Sequence, residues 1–88
     1  MPIVSSFYGI KIYIYWNDVS HRHIPHFHAK YGEYEATFDF QGHIIEGTLP
    51  RTARRLVKSW TLENKEELRY AWEKAINCEP LPKIKGLI

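Results

Sequence analysis

Four of the five histidines fall in one short string, HRHIPHFH, as His21, His23, His26 and His28. Imidazole changes charge near neutral pH, shuttles protons and ligates transition metals, so side-chain chemistry would concentrate here. If PHFH opens a strand, His26 and His28 project from one face and Phe27 from the other. Two imidazoles on one face can share a metal ion, and His21, His23 or Asp18 could complete a tetrahedral or octahedral set. Zinc or nickel would then be the cofactor. The string matches no specific zinc signature, and a purely structural use competes: Pro25, His26 and His28 fix the entry of a loop into a strand. A third use is acid–base. One histidine would take the 2′-hydroxyl proton of RNA and the other would protonate the leaving oxygen, with cations holding the phosphate.

Such cations are present. Arg51, Arg54, Arg55 and Lys58 recur at i, i+3, i+4 and i+7, which at about 100° per residue puts them on one helical face. Ala53, Leu56, Val57 and Trp60 form the roughly opposite, apolar face. No carboxylate interrupts the ridge, and the nearest acid on this helix is Glu63, at its far end. A helix built for stability alone places acids in its first turn. A basic ridge that begins where the helix dipole already favours anions implies an anionic partner, either a phosphate backbone or an acidic protein. The alternative is an ordinary solvated helix face. Spacing alone does not put the ridge and the histidines in one cleft.

The elements that must position these groups follow from periodicity. In IKIYIYW, Ile10, Ile12, Ile14 and Trp16 share one face, and Lys11, Tyr13 and Tyr15 share the other. After a polar loop, HFHAKY and YEATFDF flank Gly32-Glu33, and glycine at the first central position suits a two-residue hairpin turn. Gly42-His43 then precedes a shorter strand, IIEGTL. Pro50 sits where a helix should begin. Asn64 followed by Glu67 resembles a capping box, and Leu68, Ala71, Trp72, Ala75 and Ile76 make a second helical stripe. The expected fold is α+β: a small antiparallel meander of about four strands over residues 7–49, then two helices over 50–77 packed on one face. Trp60 and Trp72 should anchor the helices, and residues 79–88 should form an extended tail. The chain reads as one domain, 1–88.

Composition narrows the function. Hydrophobic residues make up 44% and aromatic residues 15%, enough apolar mass for an ordinary core and too much for a disordered chain. The lone Cys78 cannot form an internal disulfide. No signal peptide and no membrane span is expected, so a cytoplasmic location is the default. A net charge of +2 argues only weakly for nucleic acid as a partner. Ser5, Ser6, Ser20 and Ser59 stand in no nucleophile context, and phosphate loops and paired catalytic carboxylates are absent. Tyr8, Tyr13, Tyr15, Tyr31 and Tyr34 could leave an aromatic sheet face that stacks bases or forms a dimer interface.

Five segments together carry a family resemblance: MPIVSSFYGIKIYIYW, PHFHAKYGEYEA, GTLPRTARRLVKSW, ELRYAWEKA and the KIKGL tail. Their order and spacing resemble the bacterial domain-of-unknown-function family 4160 along essentially the whole chain. The resemblance implies a small cytoplasmic protein, often encoded beside another short protein in an arrangement compared with toxin–antitoxin modules. The family's loop histidine motif maps onto Pro25, His26, Phe27 and His28. The chain departs from the family in its longer loop, where Asp18 is followed by Val-Ser-His-Arg-His-Ile before Pro25, and in Gly86, where proline is common. The expected function is therefore a partner-binding module of a toxin–antitoxin-like two-gene system, with the question of enzymatic activity left open by the residues. A small protein is the expected partner, with RNA or DNA contact through Arg51, Arg54, Arg55 and Lys58, or a homodimer through an open sheet edge, as further options. The alternatives are a histidine-dependent ribonuclease using His26 and His28, and a metal-binding protein centred on His21–His28.

Overall fold

Ile10, Ile12 and Ile14 are all fully buried, and their face of the sheet is the one the helices cover. A computed structural model describes residues 3–15 and 25–87. It contains β1 (Ile3–Phe7), β2 (Ile10–Tyr13), β3 (His26–Tyr31), β4 (Tyr34–Asp39) and β5 (Ile44–Thr48), followed by α1 (Arg51–Glu63) and α2 (Lys65–Ile76). The strands lie in chain order, each antiparallel to the next. This is the expected α+β arrangement, with five strands in place of about four.

The additional strand is β1. Its two serines break the apolar alternation that marks the other strands. Phe7 nevertheless pairs with Ile10 across Tyr8-Gly9, both in the left-handed region at φ 49° and 79°, the pattern of a type I′ hairpin turn. The next hairpin is as expected: Tyr31 pairs with Tyr34, with positive φ at Gly32 and not at Glu33, as in a type II′ turn.

Ser5 pairs with Ile12 and faces the helix layer. It is buried, and its Oγ has no hydrogen-bond partner among the described residues. A buried hydroxyl without a partner keeps its desolvation cost and gains nothing in return. Ser5→Ala is expected to leave stability unchanged or to raise it by up to about 1 kcal/mol in urea unfolding. A loss of that size would show that the hydroxyl is satisfied.

Trp60 and Trp72 fix the helices to the sheet. The fully buried Trp60 ring packs on Phe7 at 5.5 Å and edge-on to Phe27 at 5.6 Å. Phe27 in turn stacks on its cross-strand partner Phe38 at 5.5 Å. Trp72 meets Phe40 and His26. The second helical stripe holds except at its end, where Ile76 is half exposed. Asn64 does not cap α2 as the sequence suggests. Its amide Nδ2 donates to the Trp60 carbonyl, closing the C-terminus of α1, and no side chain caps the start of α2. The end of α2 is a Schellman motif, with Glu79 N donating to Lys74 O and Cys78 N to Ala75 O and Cys78 at φ 54°.

The tail is an extended strap along the outer edge of β1. Ile84 N donates to Val4 O at 2.7 Å, and Lys85 O accepts from Trp60 Nε1 at 2.9 Å. Without that acceptor the indole N–H would be buried unsatisfied, at a cost of about 1–3 kcal/mol. Gly86 lies so close to Phe7 and the Ser6 carbonyl that a Cβ there would fall 2.8 Å and 2.9 Å from them. One edge of the sheet is thus covered. The other edge, β5, carries a bulge, since Glu46 pairs with Thr37 and Ile44 with Phe38, leaving Ile45 between them. Bulges and charges on an edge strand discourage uncontrolled strand pairing.

Candidate functional site

The two helices treat their dipoles in opposite ways. α2 follows the electrostatic rule, with Glu66 and Glu67 in its first turn and Lys74 in its last. α1 has no acid in its first turn and no base in its last. Pro50 precedes it without a side-chain cap, and Arg54 N bonds Pro50 O. Burial of Ala53, Val57, Trp60 and Thr61 holds this helix in place. Its cationic face is therefore carried at a small electrostatic cost to the fold.

Arg51, Arg54, Arg55 and Lys58 are all exposed and together line one cleft of about 420 Å³. Its other walls are Phe38, Gly42, His43 and Ile44, so the cleft lies between α1 and the β4–β5 hairpin. No ion pair joins any of the four cations to a carboxylate among the described residues. The hairpin wall is rigidly built. Asp39 Oδ1 accepts from the backbone amides of Gln41 and His43, each at 2.9 Å, and Asp39 N donates to His43 O at 2.9 Å. Lys65 Nζ reaches Gln41 Oε1 at 3.3 Å. Gly42, at φ 87°, lets the turn close on the helix, since a Cβ there would fall 2.8 Å from Lys58 Cγ. The His43 Nδ1 lies 3.8 Å from Asp39, at the mouth of the cleft.

The histidine string divides. Asp18, His21 and His23 lie outside the described residues. His26 and His28 sit on β3 with ring centroids 5.6 Å apart. The His26 ring is buried and also packs on Trp72 at 5.3 Å. His28 is half-buried; its Nδ1 lies 3.2 Å from Thr37 Oγ1 and 3.7 Å from Glu35 Oε2, and its ring meets Tyr15 edge-on at 4.8 Å. Thr37 and Glu35 approach the same ring nitrogen. A nucleophile–base–acid relay needs them on different nitrogens, so these three groups do not form one. Among the described residues no group of three or more histidine, cysteine or carboxylate side chains is placed to hold a metal ion.

The ridge and His28 are on opposite faces of the sheet. Phe38 lines the ridge cleft, whereas His28 pairs with Thr37, the adjacent residue on β4, and points the other way. A ribonuclease using both would need them in one cleft, and the cleft of the four cations contains neither His26 nor His28. Its imidazole is His43, the one histidine outside the string. That residue, with Gly42, Phe38 and Ile44, is what sequence reasoning missed. The available signal was the DFQGH turn, in which an aspartate precedes a glycine and a histidine. The tyrosines do not form one exposed face: Tyr13 is buried and stacked on Tyr15, while Tyr8, Tyr31 and Tyr34 are exposed at hairpin ends.

Residues 9–73, from the β1–β2 turn into α2, match the model of the family described as "Domain of unknown function (DUF4160)". The chain belongs to that family. The match covers the histidine string, the β4–β5 turn and the whole of α1, and therefore every wall of the cleft, so in this DUF4160 chain the cleft is part of the family domain. No curated protein and no solved structure is detectably similar to it.

The cost of a cationic first turn on α1 is measurable in the folded chain. Arg51→Glu places an acid in the first turn of α1, and is expected to raise unfolding free energy by about 0.3–1 kcal/mol at low salt. Thermal melts at low and high salt measure it. A lower stability at low salt would mean that Arg51 has a favourable partner in the folded chain.

Proposed function

We propose that this DUF4160 chain is a partner-binding module of a toxin–antitoxin-like two-gene system, acting in the cytoplasm, with the α1 cleft as its contact surface and a small acidic protein as its partner. One observation carries this reading: four exposed cations, none in an ion pair with a described carboxylate, converge on one cleft at an uncompensated helix N-terminus. Concentrated charge of one sign lined by low-dielectric walls steers an oppositely charged partner and fixes its register. No helix among the described residues is long and apolar enough to cross a membrane.

The test is capture from cells of origin with a tag other than polyhistidine, the eluate divided for mass spectrometry and for RNA. The expected result is one small acidic protein in near-stoichiometric yield that survives nuclease treatment and is lost when Arg54 and Arg55 are both replaced by Glu. RNA enriched in its place, with ends that change in the His26→Ala variant, would make the protein a nuclease and remove the binding-module reading.

A further inference from the structure

The cleft is not a bare patch of charge. Its floor is Phe38 and Ile44, its hairpin wall is the backbone of Gly42, and the cations stand around this apolar centre. Ile44 is half-buried, so it still offers apolar surface to a ligand. Arginine and lysine place aliphatic stems against such a floor while their charged heads stay in water. The volume, about 420 Å³, falls in the range of pockets that enclose a small group, roughly 300–1,000 Å³.

Resting on the reading above that the ridge binds an acidic partner, we propose that the cleft receives an extended or helical acidic segment of that partner through one aliphatic side chain. That side chain seats against the half-buried Ile44, and flanking carboxylates pair with Arg51, Arg54, Arg55 and Lys58. Charge complementarity selects the acidic segment, and the apolar floor selects the anchor. A nucleic acid fits this floor less well. Its backbone brings no apolar group, and its bases need an exposed aromatic face to stack on, whereas Phe38 is 1% exposed. The guanidinium groups add bidentate pairing to carboxylates, which makes the arginines the principal contacts and Lys58 a point charge beside them.

Fluorescence polarisation with the intact chain tests this directly. The probe is a labelled, end-blocked peptide with one central leucine between glutamates. Three controls accompany it: the leucine changed to serine, the glutamates changed to glutamines, and a single-stranded RNA oligonucleotide of matched charge. The leucine peptide is expected to bind saturably. It should lose roughly tenfold or more on the leucine-to-serine change, the effect of withdrawing one buried aliphatic side chain. A larger loss should follow from neutral glutamines or from the Arg54→Glu/Arg55→Glu chain, whose exposed positions leave folding intact. Equal binding by the serine peptide, tighter binding by RNA, or no saturable binding by the leucine peptide each overturns the proposal. If native-partner capture still depends on Arg54 and Arg55 while the serine peptide binds equally, only the anchor falls. If capture ignores those arginines, the partner-binding reading itself falls.

Discussion

Gly47→Ala is expected to lower stability by about 2–5 kcal/mol. Gly47 sits at φ 82° on β5, and a Cβ there would collide with the Glu35 carbonyl oxygen and lie 3.0 Å from Ala36 Cα. Both obstacles are backbone atoms of β4, so relief requires separating β5 from β4. The left-handed conformation alone costs an L-residue about 1–2 kcal/mol, and crowding against backbone adds about 1–3 kcal/mol. For a small domain each kcal/mol shifts the melting temperature by about 4–8 °C, so a fall of at least about 8 °C is expected. Gly32→Ala is the control. Gly32 also has positive φ, at 59°, but nothing lies within 4 Å of its added Cβ, so only the cost of the backbone conformation applies, about 1–3 kcal/mol. If the two variants melted together, the close approach at Gly47 would be wrong.

The second large effect is on binding. Replacing Arg54 and Arg55 by Glu should weaken binding of the native partner roughly 4- to 700-fold. Exposed ion pairs are each worth only about 0.2–1 kcal/mol, but reversal removes two attractions and installs two repulsions, about 0.8–4 kcal/mol together at about 1.4 kcal/mol per tenfold. The melting temperature should stay within about 2 °C, because both side chains are exposed and no ion pair to a described carboxylate is broken. Rising salt should weaken the wild-type complex far more than the variant's residual binding, since the Debye length is already about 8 Å at 0.15 M. An affinity within threefold of wild type, in a variant with an unchanged melt, would contradict the assignment.

How far the sequence could be read depended on whether a feature was local. Alternation in IKIYIYW and the Gly32-Glu33 turn located β2, β3 and β4, because strand period and turn chemistry are properties of adjacent residues. β1 escaped because Ser5 and Ser6 interrupt its pattern, although one of them is buried. Asn64 and Glu67 have capping-box spacing, yet the Asn64 amide found the Trp60 carbonyl, a choice that depends on how two helices meet. The ridge itself was legible from i, i+3, i+4, i+7 spacing. Its conversion into a cleft was not, since that needs the β4–β5 turn to be seated on α1 through Gly42. For the histidines, strand period told which face His26 and His28 share but not that Trp72 packs against His26.

The most direct measurement of the central claim is amide chemical-shift mapping of the isotope-labelled chain titrated with its captured partner. The binding account predicts that the largest shifts fall together at Gly42, His43 and Ile44 and along Arg51 to Lys58, the two walls of the cleft. Shifts confined to His28, Glu35, Thr37 and Glu46, on the opposite face of the sheet, would contradict it and move the interface to the histidine side.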